Sequence, residues 1–367
     1  MKKTATFLFV ILLCSFTFGI TFWVSWEGED FYRAAASRFS EKTGIPVEIV
    51  YFPKIEEKLN VSLKTGDLPD AVMIKDTYVG DVAASKRNLP IPESALRDYP
   101  ERYLSAFTWN GEVSAVPFYA DSQVAFINLD AFEEAGLNLE DDFDFVQFEI
   151  IKEKLTGIVD YPIAFDFTSP YIMFPYVSAL LSGEERAALK IGSPESKETV
   201  SIVKSYFDSG VISRLERAAM NGLFRQGKIG VMLQGSYMAE KFREKGPRFA
   251  MLPFPNLQGI EVRGVIDSKG FALFNSDTYE QCMSFIAFLG EQSEEFFIQY
   301  DKYPLFGSGW LPELGEIVNK GEFMPNIPGY QTLLFEALEP ALQAIFSGAM
   351  TVDQALTGAQ SYIDSVR

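Results

Sequence analysis

The sequence predicts an α/β protein built on parallel sheet, and three observations carry that prediction. Apolar strand-like runs alternate with amphipathic helical stretches directly past position 19. The alternation resumes beyond residue 112, and no repeat or low-complexity linker divides the two regions. Such alternation puts helices on the faces of a sheet, because parallel strands need a crossover long enough to hold one.

Taken in order, ITFWVSW (20–26) is a short apolar strand. Glu27, Glu29 and Asp30 then open a helix, where carboxylates suit the positive end of the helix dipole, and Phe31, Ala35 and Phe39 share one face. Gly44 ends it. IPVEIVYF (45–52) is a second strand, Ile55, Leu59 and Leu63 space a second helix, and AVMI (71–74) is a third strand after the turn at 66–70. The segment 112–128 is long and extended but carries Pro117 at its centre. Proline cannot donate to a ladder, so this stretch is expected to run between two layers. Beyond it lie a helix near 145–156, a strand at 161–165, and helices near 167–182, 197–209 and 218–226. Strands at 229–235 and 248–254 flank a helix at 236–245. GVIDSKGFALF (264–274) is a candidate return crossing, followed by helical segments 279–289 and 293–300, whose Phe285, Phe288, Phe296 and Phe297 have core spacing. Helices at 329–346 and 352–366 close the chain, the second opened by Thr351 as N-cap.

Composition narrows the class. The chain has 367 residues, 47% hydrophobic, 14% aromatic and 22% charged, the profile of a soluble globular protein of about two domains. Residues 1–19 read as a secretory signal. Lys2 and Lys3 lead an apolar run from Ala5 to Phe18 that is too short to span a bilayer, and Thr17 and Gly19 supply the small residues of a cleavage site. Cleavage there removes two positive charges and moves the formal charge from −18 to −20. So acidic a chain repels nucleic acid and anionic membrane surfaces. Cys14 falls in the leader and Cys282 alone remains, so no internal disulfide is expected. Cys14 as a lipid attachment site is the alternative, but Leu13 is bulky for that role and a freely exported, periplasmic protein is the expectation.

Histidine is absent. This excludes His-based triads and His-containing metal sites, and the chain carries no GxxxxGK[ST], GxGxxG or GxSxG motif either. No cofactor is implied, and carboxylate-only catalysis survives as an enzymatic possibility. The run Glu140-Asp141-Asp142 with Asp144 lacks the order of a calcium loop and reads as solvated charge.

The stretch TGIPVEIVYFPKIEEKLNVSLKTGDLPDAVMI (43–74) resembles the N-terminal region of the extracellular solute-binding proteins of the maltose-binding class, which serve ABC sugar importers. Three further segments agree in order: Trp109-Asn110-Gly111 leading to Ala115-Val116-Pro117, Phe224-Arg225-Gln226-Gly227 before Gln234-Gly235, and Met324-Pro325-Asn326-Ile327-Pro328 with Thr351 to Leu356 behind it. The resemblance implies a type II periplasmic-binding-protein fold. Its N-lobe would comprise residues 20–119 and 268–309 and its C-lobe 120–267 and 310–367, joined by crossing segments that hinge over a ligand cleft.

A sugar presents hydroxyl rims and apolar faces, so its site needs aromatic plates and polar edges. Trp26 and Glu27 follow the first strand, and Lys75, Asp76, Thr77 and Tyr78 follow the third, where functional loops converge in parallel sheets. The resemblance places Asp121 at a ligand-contacting acid, Tyr171 at a stacking tyrosine with Ser169 in place of an acid, and Tyr237 at a stacking aromatic. Ile74 and Leu334 replace tryptophan plates and Leu338 an arginine, which leaves the sugar open, and Trp310 is a candidate compensating plate. The expected function is reversible capture of a mono- or oligosaccharide by a monomer and delivery to a membrane permease. The alternatives are a glycoside hydrolase or lyase with a carboxylate pair across the cleft, or a cleft binding a peptide, polyamine or small anion.

Overall fold

The computed structural model describes residues 19–139, 143–306 and 312–367. The leader up to residue 18, Cys14, the acidic run at 140–142 and Trp310 lie outside the described residues.

The βαβ alternation of the first hundred residues forms as the pattern predicts. Strand Ile20–Val24 pairs in parallel with Val47–Tyr51 on one side and Ala71–Lys75 on the other. The helix Glu29–Thr43 packs across this sheet, opened by Glu29 and Asp30 and ended by Gly44 at φ 76°, a left-handed conformation that glycine adopts without a Cβ penalty. Its buried face is Tyr32, Ala35, Ala36 and Phe39 rather than one centred on Phe31, which is half-buried and stacks on Phe296. The difference is a rotation of one residue: Tyr32 fills the core between Phe118, Phe271 and Phe296. The next helix, Ile55–Thr65, buries Ile55, Leu59 and Leu63 as spaced.

The second sheet repeats this logic. Tyr161–Phe165 lies parallel to Ile229–Gly235 and to the short edge strand Ser213–Arg214. The helix expected near 167–182 is Pro170–Val177, because Pro170 sets its first turn and Pro175 inside it weakens propagation. The segment expected as a helix at 236–245 begins as a single 3-10 turn, Ser236–Met238, before Ala239–Glu244. Helix Val352–Val366 starts at Thr351 with a full capping box to Gln354.

Two strands join the sheets. Val116–Asn128 runs thirteen residues, all buried. Its first half pairs antiparallel with Val265–Leu273 and its second half with Ile229–Gly235 and Phe249–Leu252. Residues 112–113 belong instead to a small hairpin with Thr108–Trp109, turned by Asn110 (φ 49°) and Gly111 (φ 84°). Pro117 sits opposite Gly270, where the ladder slips by one residue. A missing N–H is tolerated at such a bulge. The return strand Val265–Leu273 also pairs with Ala71–Lys75, so both long strands lie where the sheets meet. Apolar clusters cover both faces of each sheet. Ile74, Leu334 and Leu338 are buried in these clusters. Among the described residues no helix is long and apolar enough to cross a membrane.

Candidate functional site

The loops at the carboxyl ends of the first and third strands make one wall of a cavity. The first loop bends sharply because Trp26 (φ 65°) and Gly28 (φ 78°) both adopt left-handed backbone around Glu27. That conformation is strained for a bulky aromatic, and such strain concentrates where a side chain must be aimed. The third strand ends in Lys75 and a 3-10 turn, Asp76–Tyr78, that buries Asp76 and Thr77. The return strand forms the floor with Val265, Ile266, Asp267 and Lys269.

Tyr171, Arg217, Tyr237, Met324, Gln331 and Phe335 line the opposite wall of this cavity of about 260 Å³. The volume lies just under the roughly 300–1,000 Å³ usual for ligand pockets, the size for a short ligand. Tyr171 stands in the first turn of Pro170–Val177 and is held by Gln123 of the crossing strand. The Gln123 amide donates to the Tyr171 carbonyl, and its oxygen accepts from the Val265 amide at 2.8 Å. Tyr237 donates to Gln234 at 3.0 Å, and Gln234 in turn donates to Asn221 at 3.0 Å. Gly235 separates the two tyrosines, and a Cβ there would lie 2.1 Å from the Tyr237 ring and 2.9 Å from the Tyr171 hydroxyl. The walls touch at the rim, where Thr77 Oγ1 donates to Gln331 Oε1 at 3.2 Å and the Gly329 amide donates to Asp81 at 3.2 Å.

The charges of the first wall are mutually committed. Asp121 is fully buried on the crossing strand. Its Oδ2 accepts from Lys269 at 2.8 Å, and its Oδ1 accepts from Lys302 at 2.8 Å and from Ser236 Oγ at 3.2 Å. Burial would raise the pKa of Asp121, but the two ammonium groups outweigh it and hold the carboxyl below its ordinary value. Burial likewise works against the charge of Lys269, yet Asp121, Asp267 and Glu27 together hold its pKa above the usual lysine value. Lys269 also reaches Asp267 at 3.1 Å, and Lys302 reaches Glu27 at 3.4 Å. Glu27 further accepts from Tyr119 at 3.3 Å. Lys75 pairs with Glu56 at 3.4 Å.

Asp76 is the exception. It is fully buried, and neither carboxyl oxygen has a partner of hydrogen-bond geometry among the described residues. Burial first, and the carboxylate of Asp267 second, push its pKa up to about 8, offset in part by Lys269 and by the nearby amides of Thr77 and Ser268. Near neutral pH it is therefore a buried neutral acid. The Tyr171 hydroxyl is a second buried polar atom without a partner there.

Of the residues singled out from sequence, Trp26, Glu27, Lys75, Asp76, Thr77, Asp121, Tyr171 and Tyr237 all line the cavity. The Trp26 ring already carries two ammonium groups, Lys75 at 5.5 Å and Lys269 at 5.8 Å from its centroid, so part of its face is taken. Tyr78 and Ser169 are half-buried and stand outside the lining, Ser169 as the residue before Pro170. Sequence reasoning missed Arg217, Asp267, Lys269, Met324, Gln331 and Phe335. The Asp267 and Lys269 pair had a signal, two charges at period two inside a strand that is apolar apart from them and Ser268. No described group of three acidic or sulfur side chains is disposed to hold a metal ion.

Comparison with known proteins agrees with this architecture. A family model described as bacterial extracellular solute-binding protein matches residues 34–304. A protein described as a binding protein in Brucella abortus (strain 2308) is 22% identical over 361 residues, covering 89% of this chain and 87% of the relative. The maltodextrin-binding protein of Bacillus subtilis (strain 168) is 18% identical over 260 residues, 66% of this chain and 62% of that protein. The crystal structure of a cyclo/maltodextrin-binding protein complexed with maltotetraose superposes with a TM-score of 0.76 at 18% identity, covering 95% of this chain and 96% of the other. The fold is that of the two-lobed periplasmic binding proteins.

Proposed function

The chain belongs to the bacterial extracellular solute-binding protein family, and from that premise we propose that it captures an uncharged mono- or oligosaccharide of the maltooligosaccharide kind between two lobes. It then delivers the sugar to the membrane permease of an ABC importer, without turnover. The lobes are residues 20–119 with 268–309 and residues 120–267 with 310–367, and the protein acts as a monomer exported to the periplasm.

One observation carries the reading. The cavity sets the rings of Tyr171, Tyr237 and Phe335 against a wall of polar groups whose carboxylates are paired with lysine or, at Asp76, neutral. Rings suit the apolar faces of a sugar, and the polar wall suits its hydroxyls. A polyamine would need free carboxylates, and Glu27, Asp121 and Asp267 are already bound to Lys269 or Lys302. The same observation weighs against a glycosidase, which needs two carboxyl groups facing each other across the substrate. Among the described residues, the acids of the lining lie on the floor and one wall, and Tyr171, Arg217, Tyr237, Met324, Gln331 and Phe335 include none. The Bacillus subtilis relative and the superposed structure, both named for maltodextrin, support the choice of sugar.

A thermal-shift screen over maltose, maltotriose, maltotetraose, spermidine and short peptides tests the proposal, since a ligand of the folded state raises the melting temperature. The expected result is a shift with one or more of the sugars and their recovery unchanged by chromatography. A shift with spermidine or peptides alone, or release of shorter sugars, overturns it.

A further inference from the structure

The cavity has an outlet along its tyrosine wall. In the helix Tyr330–Phe346, Gln331 and Phe335 line the cavity, while Glu339, Gln343 and, just past the helix end, Ser347 line a neighbouring depression of about 770 Å³. Residues four apart are surface neighbours on a helix, so these five make one row that winds out of the cavity over about 24 Å. At Gln331 the row is tied to the facing wall by Thr77, at 3.2 Å, so its open end is the other one. Arg217, the first residue of the helix Arg217–Arg225, belongs to both linings and marks the junction between them.

The depression differs from the cavity in its chemistry. Among the described residues its lining has no aromatic ring, and its charged groups, Asp166, Arg214, Glu216, Arg217 and Glu339, form no ion pair. Asp166 Oδ1 accepts from the Thr168 hydroxyl at 2.9 Å and from its amide at 3.2 Å, which orients the carboxylate and leaves Oδ2 unbonded there. Gln343 donates to Glu339 Oε1 at 3.3 Å and keeps its own amide oxygen unbonded. Three acids against two arginines nearly cancel, so no strong field of one sign selects a highly charged ligand.

We propose that this depression is an outer subsite for a longer saccharide: units beyond those held in the cavity pass over Arg217 and hydrogen-bond to Asp166, Glu339 and Gln343. This rests on the saccharide reading above. Arg217 carries five N–H donors on a long stem, the group of this wall suited to reach hydroxyls on both sides of the junction. With no ring to stack on, the outer units gain by hydrogen bonds alone, each exchanged for one to water, so the gain per unit is modest and several chain lengths are accepted. Every residue of the depression belongs to the proposed C-lobe. It therefore stands complete whether the lobes are apart or closed, and the outer units of a long sugar leave closure to the inner ones.

Calorimetric titration of the chain from residue 20 with maltose, maltotetraose and maltohexaose tests this in the wild type, in the double variant Glu339→Ala with Gln343→Ala, and in Arg217→Ala. Both positions of the double variant are exposed and alanine suits a helix, so its melting temperature should stay near that of the wild type. The wild type should bind maltohexaose about tenfold more tightly than maltose, and the double variant should lose most of that gain while binding maltose unchanged. Arg217→Ala should weaken maltohexaose by a larger factor than maltose. Wild-type affinity that does not rise with chain length overturns the outer subsite alone, as does a double variant that keeps the gain or loses the same factor for all three sugars. An equal loss for short and long sugars in Arg217→Ala overturns its place at the junction. Failure of all three sugars to bind the wild type overturns the saccharide reading and the outer subsite with it.

Discussion

The two walls of the cavity are made differently. On one, Asp121, Lys269 and Lys302 form a buried ionic core that half-buried Asp267 and Glu27 extend, tying the first loop to both crossing strands. On the other, Tyr171 and Tyr237 flank Gly235 and are held through amides of Gln123 and Gln234. A buried charge network resists deformation, because removing one member strands the others in low dielectric. Under the proposed function, the first wall serves stability and geometry together, and the rings of the second offer contact area to the sugar.

Asp121→Ala should separate these roles most sharply. It leaves Lys269 and Lys302 facing each other without their shared counter-ion, and the expected loss is about 3–5 kcal/mol in urea unfolding. Lowering the pH gives a related test. The folded pKa of Asp121 is depressed, so its contribution is complete above an unfolded value of about 3.9 and is lost as pH falls towards the folded one. Acid unfolding of the wild type should steepen below that point, and Asp121→Asn should lack this component. Tyr171→Ala should do the opposite. Its hydroxyl bonds nothing among the described residues, so truncation should cost about 2 kcal/mol of sugar affinity by calorimetry, the scale of a central aromatic anchor, while the ring's packing against the core makes the urea midpoint fall by less than for Asp121→Ala. Gly235→Ala has the smaller effect of the same kind. Its backbone (φ −81°, ψ 144°) suits alanine, but the new methyl would push the Tyr237 ring aside, and affinity should fall severalfold with stability retained. An exposed pair such as Arg248 with Asp130 should report neither role, and Arg248→Ala should leave both midpoint and affinity unchanged.

Periodicity made much of this molecule readable in advance. The parallel strands at the start, the length of 116–128, the misfit of Pro117 in a central ladder and the cap at Thr351 all follow from local chemistry. The face of the first helix did not, because Phe31 and Tyr32 are both apolar enough to be core and only the packing of Phe118, Phe271 and Phe296 chooses between them. In the cavity, the loops after parallel strands were legible from topology and Tyr171 and Tyr237 from the family resemblance. Arg217, Gln331 and Phe335 were not, since each is an ordinary helical residue whose direction is decided by how its helix docks. Nor could sequence reveal that Lys302, far along the chain, would return to meet Asp121.

Calorimetric titration of the chain from residue 20 with maltose, maltotriose and maltotetraose, run beside spermidine at the same pH and salt, tests the central claim most directly. The account predicts saturable one-to-one heat with one or more of the sugars, the sugar recovered whole, and no heat of binding with the amine. Saturable heat with spermidine and none with any of the sugars would contradict it.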